Sequence, residues 1–380
     1  MEAMRTALTS EEETSRLVFR AFVESEIRPH AGDFDRSEKI PPALIQKLAQ
    51  QGYLGAGVPP ELGGQGMDPV TLGLLHEEIG RGCSSVRSLL TVHHMVAQGI
   101  LRWGTAGQKQ FWIPRLASGQ MIAAFALSEP NAGSDAGHVE TSATLDSDSY
   151  ILNGEKKWIT FGQVADLFLI FAQCEGEPSS FLLPRTSPGL SVEAIHGMLG
   201  VRASMLAKLR LEDCRVAKEN LVGRVGFGFS HVAASALDYG RYSVAWGCVG
   251  IAQACLEECL EHTGERKQFG KLLKDHQLIR RMISNIVTNL RAARLLCLHA
   301  GHLRESGSPD AIVETLIAKY FASGAAMKAA KDAVQIHGAL GCSEESPVAR
   351  YFRDAKIMEI IEGSNEIQQL TIAEYGSFDS

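Results

Sequence analysis

Near the end of the chain, Glu362 lies between two isoleucines, Ile360 and Ile361, and the pair Gly363-Ser364. Apolar neighbours strip water from a carboxylate and disfavour its charged form, so its proton affinity rises. A carboxylate tuned in this way can serve as a general base near neutral pH. Gly363 permits backbone conformations closed to other residues and a close approach to a ligand. The same letters also spell an ordinary helix end, so this stretch alone leaves both readings open.

Four other segments carry groups that could do chemistry. Phe125-Ala126-Leu127-Ser128-Glu129-Pro130-Asn131-Ala132-Gly133-Ser134-Asp135 reads as a strand entering a turn of small residues. Hydroxyls and free amides in such a turn can hold a polar ring edge or a phosphate. Trp158-Ile159-Thr160 could wall a planar cofactor with an indole and offer it a hydroxyl, although a half-buried strand also favours an aromatic in its core. Arg266-Lys267-Gln268-Phe269-Gly270-Lys271 is a basic turn suited to pyrophosphate, or a solvated helix end. Gln335-Ile336-His337-Gly338-Ala339-Leu340-Gly341 places small residues where a backbone must approach something closely. His93 and His94 read as packing or surface residues.

The elements that must position these groups follow from periodicity. Residues 1–120 read as helices, with Ser10 and Glu13 as a capping box, a run opened by Pro41-Pro42, and apolar helices over Val70–Ile79 and Val86–Ile100. Residues 121–223 alternate short apolar runs with turn formers, including Asp146-Ser147-Asp148, Asn153-Gly154 and Ser187-Pro188-Gly189, and form a strand-rich middle domain. Residues 224–380 return to helical period over Val244–Leu260, Leu278–Ala300, Ala311–Val334 and Val348–Ile361, segments that would pack as a bundle. The fold class is therefore α+β and multi-domain.

With 380 residues and 45% hydrophobic content, the chain can bury a sizeable core, and its net charge of -7 argues against a nucleic-acid binder. The N-terminus carries mixed charges without the apolar core of a signal peptide, and no apolar run is long enough to span a bilayer. The eight cysteines are scattered, and Cys255 and Cys259 share a helix face without completing a zinc set. Reduced thiols, a cytoplasmic location and no metal are expected. No glycine fingerprint of a Rossmann nucleotide site is present.

Taken together and in this order, the motifs resemble those of the acyl-CoA dehydrogenase family of flavoproteins, over nearly the whole chain. The resemblance implies an N-terminal helical domain, a middle β-barrel-like domain and a C-terminal four-helix bundle, assembled as a homodimer or homotetramer. It implies FAD. Phe125, Ala126, Leu127, Ser128, Gly133 and Ser134, with Trp158, Ile159 and Thr160, match segments that line the flavin of their own subunit, and Ser364, Asn365 and Glu366 match one that also touches it. Arg266, Phe269, Gln277, Gln335, Ile336, Gly338 and Ala339 match segments that reach the FAD of the adjoining subunit. Glu362 matches the catalytic base. Asp238, Tyr239 and Arg241 match the segment that binds the thioester's pantetheine arm, and Ser134 and Gly363 are further implied substrate contacts. In some branches the base precedes the arginine of that segment; Gly240 stands there in this chain.

The chain departs from the family pattern at Ile361, Ala339, Cys342 and His138. A finer resemblance, over Cys83–Ser88, Tyr239–Gly250 and Lys356–Ser364, points to a biosynthetic branch. Its members oxidise short, polar acyl groups on an acyl carrier protein, giving hydroxymalonyl or aminomalonyl extender units for polyketide or non-ribosomal peptide assembly. The implied partners are an acyl carrier protein or CoA thioester and an electron-transfer flavoprotein or other acceptor. The alternatives are a catabolic short-chain acyl-CoA dehydrogenase and a flavin-free scaffold that docks carrier proteins. A monooxygenase of the same fold is disfavoured by the presence of Glu362.

Overall fold

The computed structural model describes residues 7–378. Six helices come first: α1 (Ser10–Glu26), α2 (Ala31–Ser37), α3 (Pro42–Gln50), α4 (Pro69–Gly82), α5 (Ser84–Trp103) and α6 (Ala106–Ala117). The capping box of α1 sits one residue earlier than the sequence suggested. The Glu12 amide donates to Thr9 Oγ1 at 3.2 Å and the Thr9 amide to Glu12 Oε2 at 2.7 Å. Thr9 takes the extended conformation that a capping residue needs, and Ser10 is already helical.

Helices α4 and α5 are buried almost all round, because they form the layer between the outer helices and the C-terminal bundle. Their histidines are therefore committed to partners. His93 Nδ1 accepts from the Ala123 amide at 3.1 Å, so its proton is on Nε2, which donates to Leu116 O at 3.1 Å. Burial pushes this imidazole down to about 4. His93 is thus a packing residue that ties α5 to the end of α6 and to the first strand, rather than a surface residue.

The middle domain holds β1 (Ala123–Ala126), β2 (Ser142–Asp146), β3 (Ser149–Ile159), β4 (Leu167–Cys174), β5 (Glu177–Pro184), β6 (Leu190–Ala194) and β7 (Ala207–Ala217). They form one mixed sheet in the order β1-β4-β2-β3-β7-β6, with β5 on the other edge of β4. β1 and β2 both run parallel to β4, and the remaining pairs are antiparallel. Asn153-Gly154, expected as a turn, lies inside β3 at a bulge. A side chain at Gly154 would meet Thr141 Oγ1 at 2.6 Å, so glycine here serves a close strand approach.

The C-terminal domain is built on α7 (Ala234–Glu265), α8 (Gln277–Glu305) and α9 (Ala311–His337), followed by α10 (Pro347–Met358) and α11 (Asn365–Phe378). A two-strand hairpin, β8 (Lys267–Gln268) and β9 (Lys271–Leu272), forms the basic turn between α7 and α8. α9 buries an alanine stripe that includes Ala318, Ala322, Ala326 and Ala330, which allows close helix packing. α7 meets α4 more closely still: a Cβ on Gly250 would stand 2.2 Å from Glu77 O. Among the described residues no helix is long and apolar enough to cross a membrane.

Candidate active site

α10 stops at Met358 and does not run on to Ile361 as its apolar pattern suggested. The chain tightens, with Ile360 N–H bonded to Ile357 O at 3.0 Å, and then turns left-handed at Glu362 (φ 56) and Gly363 (φ 86). A residue with a side chain costs roughly 1–2 kcal/mol in that region. It persists here because the turn's carbonyls are tied down. Glu362 O accepts from Arg241 Nε at 3.2 Å and Gln368 Nε2 at 3.1 Å. Gly363 O accepts from Lys319 Nζ at 2.8 Å and Gln368 Nε2 at 3.1 Å. No hydrogen bond occupies the Glu362 N–H among the described residues.

The Glu362 carboxylate points at α7, into a gap that exists because residue 240 is glycine. A Cβ there would stand 2.5 Å from Glu362 Oε2 and 2.9 Å from Met95 Sδ. Oε2 is buried and has no hydrogen-bond partner. Burial pushes the carboxyl up to about 7, against the opposing pull of Arg241, Arg87 and Lys319. Of those cations, Arg87 is 1% exposed and makes no ion pair among the described residues. Its Nη1 donates to Thr91 Oγ1 at 2.8 Å and its Nη2 contacts Met358 Sδ at 3.5 Å, while Nε is left without a partner.

The other expected substrate residues are placed unevenly. Arg241 holds the Glu362 carbonyl, and Gly363 is the second residue of the turn. Asp238 is paired with Arg304 at 2.6 Å. Tyr239 is buried, and its hydroxyl is taken by His94 Nδ1 at 2.7 Å and His76 Nε2 at 2.9 Å. Its side chain is thus turned into the core, where only its backbone remains for a thioester arm. Ser134 is exposed on its loop, as is Gly133.

The segments expected to line a flavin divide into three groups. Ser128 O accepts from Lys157 N at 2.9 Å, which sets the exit of β1 beside the end of β3. Phe125 and Ser128 are half-buried there, Ala126 and Leu127 buried. A bulge then turns Trp158 out of the sheet, with φ 64 and 46% of its surface exposed, while Ile159 points inward and Thr160 is half-buried. Trp158 is therefore not a core tryptophan. An indole held exposed at left-handed backbone, with Lys157 Nζ 4.7 Å from its ring centroid and Thr160 two residues on, fits a planar ring system. Ser364 and Asn365 are half-buried just after the Glu362-Gly363 turn, with Asn365 Oδ1 held by Lys319 and Ser323, and Glu366 is exposed.

The third group sits at the far end of the bundle. Stacking of His262 on His337, with centroids 4.3 Å apart, joins the end of α7 to the end of α9. Arg266, Gln277, Gln335, Gly338 and Ala339 are exposed there, Ile336 is buried, and Phe269 at the hairpin tip is 95% exposed.

Two buried polar features escape a reading of the sequence. Lys319 is one of three lysines in the alanine-rich α9, with Lys328 and Lys331, and gives no local sign of its contact with Gly363. Glu129 and Lys156 form a buried ion pair at 2.6 Å under the Ser128–Ser134 loop. Glu129 Oε1 also takes the Thr141 amide at 3.0 Å.

Models of three domains match the chain: the acyl-CoA dehydrogenase N-terminal domain over residues 9–120, the middle domain over 124–214 and the C-terminal domain over 226–376. The chain belongs to the acyl-CoA dehydrogenase family. It is 40% identical over 364 residues to the mitochondrial short-chain specific acyl-CoA dehydrogenase of Mus musculus, spanning 94% of this chain and 88% of that one. Butyryl-CoA dehydrogenase from Megasphaera elsdenii superposes with a TM-score of 0.94 at 34% identity, covering 98% of this chain and 99% of that one. FkbI, described as serving biosynthesis of the methoxymalonyl extender unit of the Fk520 polyketide, superposes with a TM-score of 0.87 at 34% identity, over 95% and 99% of the two chains. As a member of this family the protein is an oxidoreductase.

Proposed function

We propose that the protein dehydrogenates the α,β bond of a short acyl thioester, with Glu362 as the base. The observation that carries this reading is the buried, unpartnered Glu362 Oε2 in the Gly240 gap, with proton affinity near neutrality. A thioester α-proton is a poor acid, so its removal needs a base free to accept it and a donor to the carbonyl oxygen as charge builds there. Glu362 Oε2 takes the proton. The free Glu362 N–H, fixed in direction by the anchored carbonyls of its turn, donates to the thioester oxygen.

Phe125 to Ser128, Ser134, Trp158 to Thr160 and Ser364 to Glu366 would hold FAD of the same chain. Arg266, Phe269, Gln277, Gln335, Ile336, Gly338 and Ala339 would reach the FAD of a second copy. Bound FAD supplies the hydride acceptor for the β-carbon. The exposed hairpin tip supports a homo-oligomer, an electron-transfer flavoprotein is the expected reoxidant, and eight free cysteines support a reducing compartment such as the cytoplasm.

The short-chain relatives favour a CoA thioester such as butyryl-CoA. A second reading, a polar acyl group on a carrier protein, is favoured by Arg87. A buried guanidinium without a carboxylate partner is costly unless something pairs with it, and a substrate with a polar or anionic end would do so. The neighbour from extender-unit biosynthesis points the same way. Anaerobic titration of the flavin band with butyryl-CoA and with seryl-, glyceryl- and butyryl-carrier protein separates the two. Bleaching by butyryl-CoA establishes the first and bleaching only by a polar carrier-bound group the second. Bleaching by neither removes the dehydrogenase reading.

A further inference from the structure

Lys319 is wholly buried, and no carboxylate pairs with it among the described residues. Its ammonium donates instead to Gly363 O at 2.8 Å and Asn365 Oδ1 at 3.2 Å, one on either side of Ser364. Asn365 is held in turn by Ser323 Oγ at 2.8 Å, one helical turn along α9. A buried lysine is hard to keep charged, and burial brings this one down to about 8. A neutral residue of similar length would fill the same space without that cost. What the charge adds is a strong hydrogen bond to a backbone carbonyl inside a left-handed turn, beside the group that removes the proton.

We propose that Lys319 is a positioning residue for the reaction: its ammonium pins the Gly363 carbonyl and Asn365, so that the Glu362 N–H and carboxylate keep their aim. The inference rests on the dehydrogenase reading above. It assigns Lys319 a second, electrostatic effect, because its positive charge favours the ionised form of Glu362. The charged and titratable groups around Lys319 are Arg241 and Cys248 on α7, Glu359 and Glu362 after α10, and Glu366 on α11; the charge of Arg87 on α5 also acts on Glu362. Glu359 is engaged with Lys356 at 2.8 Å, whereas Lys319 and Arg241 are the cations whose hydrogen bonds reach the turn's carbonyls.

The test uses Lys319→Met, which removes donor and charge, and Lys319→Gln, which keeps a donor without the charge. In flavin-loaded protein, Lys319→Met is expected to slow flavin reduction at saturating thioester by about 10–100-fold, the cost of misplacing a reacting group by an ångström, with thioester affinity little changed. Both variants are expected to move the acid limb of the rate to higher pH, and Lys319→Gln to recover most of the rate above that limb. A merely structural lysine would lower flavin content or melting temperature and leave the limb in place.

A second readout needs no turnover: the infrared band of the protonated Glu362 carboxyl, identified by its loss in Glu362→Gln, titrated in wild type and in Lys319→Gln. A higher midpoint in the variant supports the assignment even if Lys319→Met fails to fold. An unmoved midpoint with unmoved kinetics overturns it. Wild-type protein that no acyl thioester reduces removes the dehydrogenase reading and with it the positioning role, whatever the carboxyl band shows.

Discussion

Two glutamates with buried carboxylate oxygens lie close to lysines in this molecule, and their environments make them opposites. Glu129, under the middle-domain loop, has both oxygens engaged: Lys156 Nζ at 2.6 Å, Thr141 amide and hydroxyl, and the Glu140 amide. Burial works against its charge, but Lys156, Thr141 and the Glu140 amide outweigh it and hold the carboxyl below its usual range. Glu362 faces three cations, yet none of them bonds its Oε2; Arg241 and Lys319 spend their hydrogen bonds on the neighbouring carbonyls. Burial then wins, and the carboxyl rises to about 7. Nearby positive charge therefore does not decide what a buried carboxylate does. Whether its lone pairs are already taken does.

That contrast is open to direct attack. Glu362→Gln is expected to keep FAD and to slow flavin reduction by substrate about 10³-fold, within the range of lost general-base catalysis; stopped-flow reduction checks it. Undiminished reduction would move the base elsewhere, with Glu359 the next candidate. Glu129→Gln is expected to leave Lys156 buried without its counter-charge and to cost about 3–5 kcal/mol of stability, read from denaturant unfolding. The chemistry should persist in whatever fraction remains folded and flavinated.

Gly240→Ala is a finer probe. Its methyl would fall 2.5 Å from Glu362 Oε2, so the carboxylate must shift, and a loss of about 10–100-fold in reduction rate is expected. Little change in melting temperature should accompany it, since alanine suits a helix interior better than glycine.

The pH dependence of stability should carry opposite signs for the two glutamates. Glu362 has a folded-state affinity raised from 4.5 to about 7, so its contribution is full below pH 4.5 and is lost as pH rises towards 7. Glu129, lowered in the folded state, contributes above pH 4.5 and loses its contribution as pH falls below that value. Unfolding curves of Glu362→Gln should lack the first decline, and those of Glu129→Gln the second.

Much of this was legible in the chain because it is local. The helix–strand–helix order, the Glu362-Gly363 pair and the Trp158 segment can each be read from a few consecutive residues. The glycine at 240 could be seen as a missing side chain, though not that the carboxylate from 362 fills its place. What stayed hidden depends on pairing across long separations. Lys319 and Gly363 are brought together only by packing of α9 against the turn. Glu129 meets Lys156 through the sheet. Tyr239 looked like a substrate contact, and only the placement of His76 and His94 reveals that its hydroxyl is committed to the core. The Ile357, Ile360 and Ile361 pattern suits a helix, but α10 ends at Met358 because the carbonyl contacts from Arg241, Lys319 and Gln368 stabilise a turn instead.

The most direct measurement is the rate of anaerobic flavin reduction by butyryl-CoA, or by whichever thioester bleaches the flavin, from pH 5.5 to 9 in wild type and in Glu362→Gln. A rate that rises with pH through an inflection near 7 in wild type, and falls about 10³-fold without that inflection in the variant, is the predicted result. A wild-type rate independent of pH across that range, or a variant that reduces its flavin as fast as wild type, would contradict the assignment of Glu362 as the base.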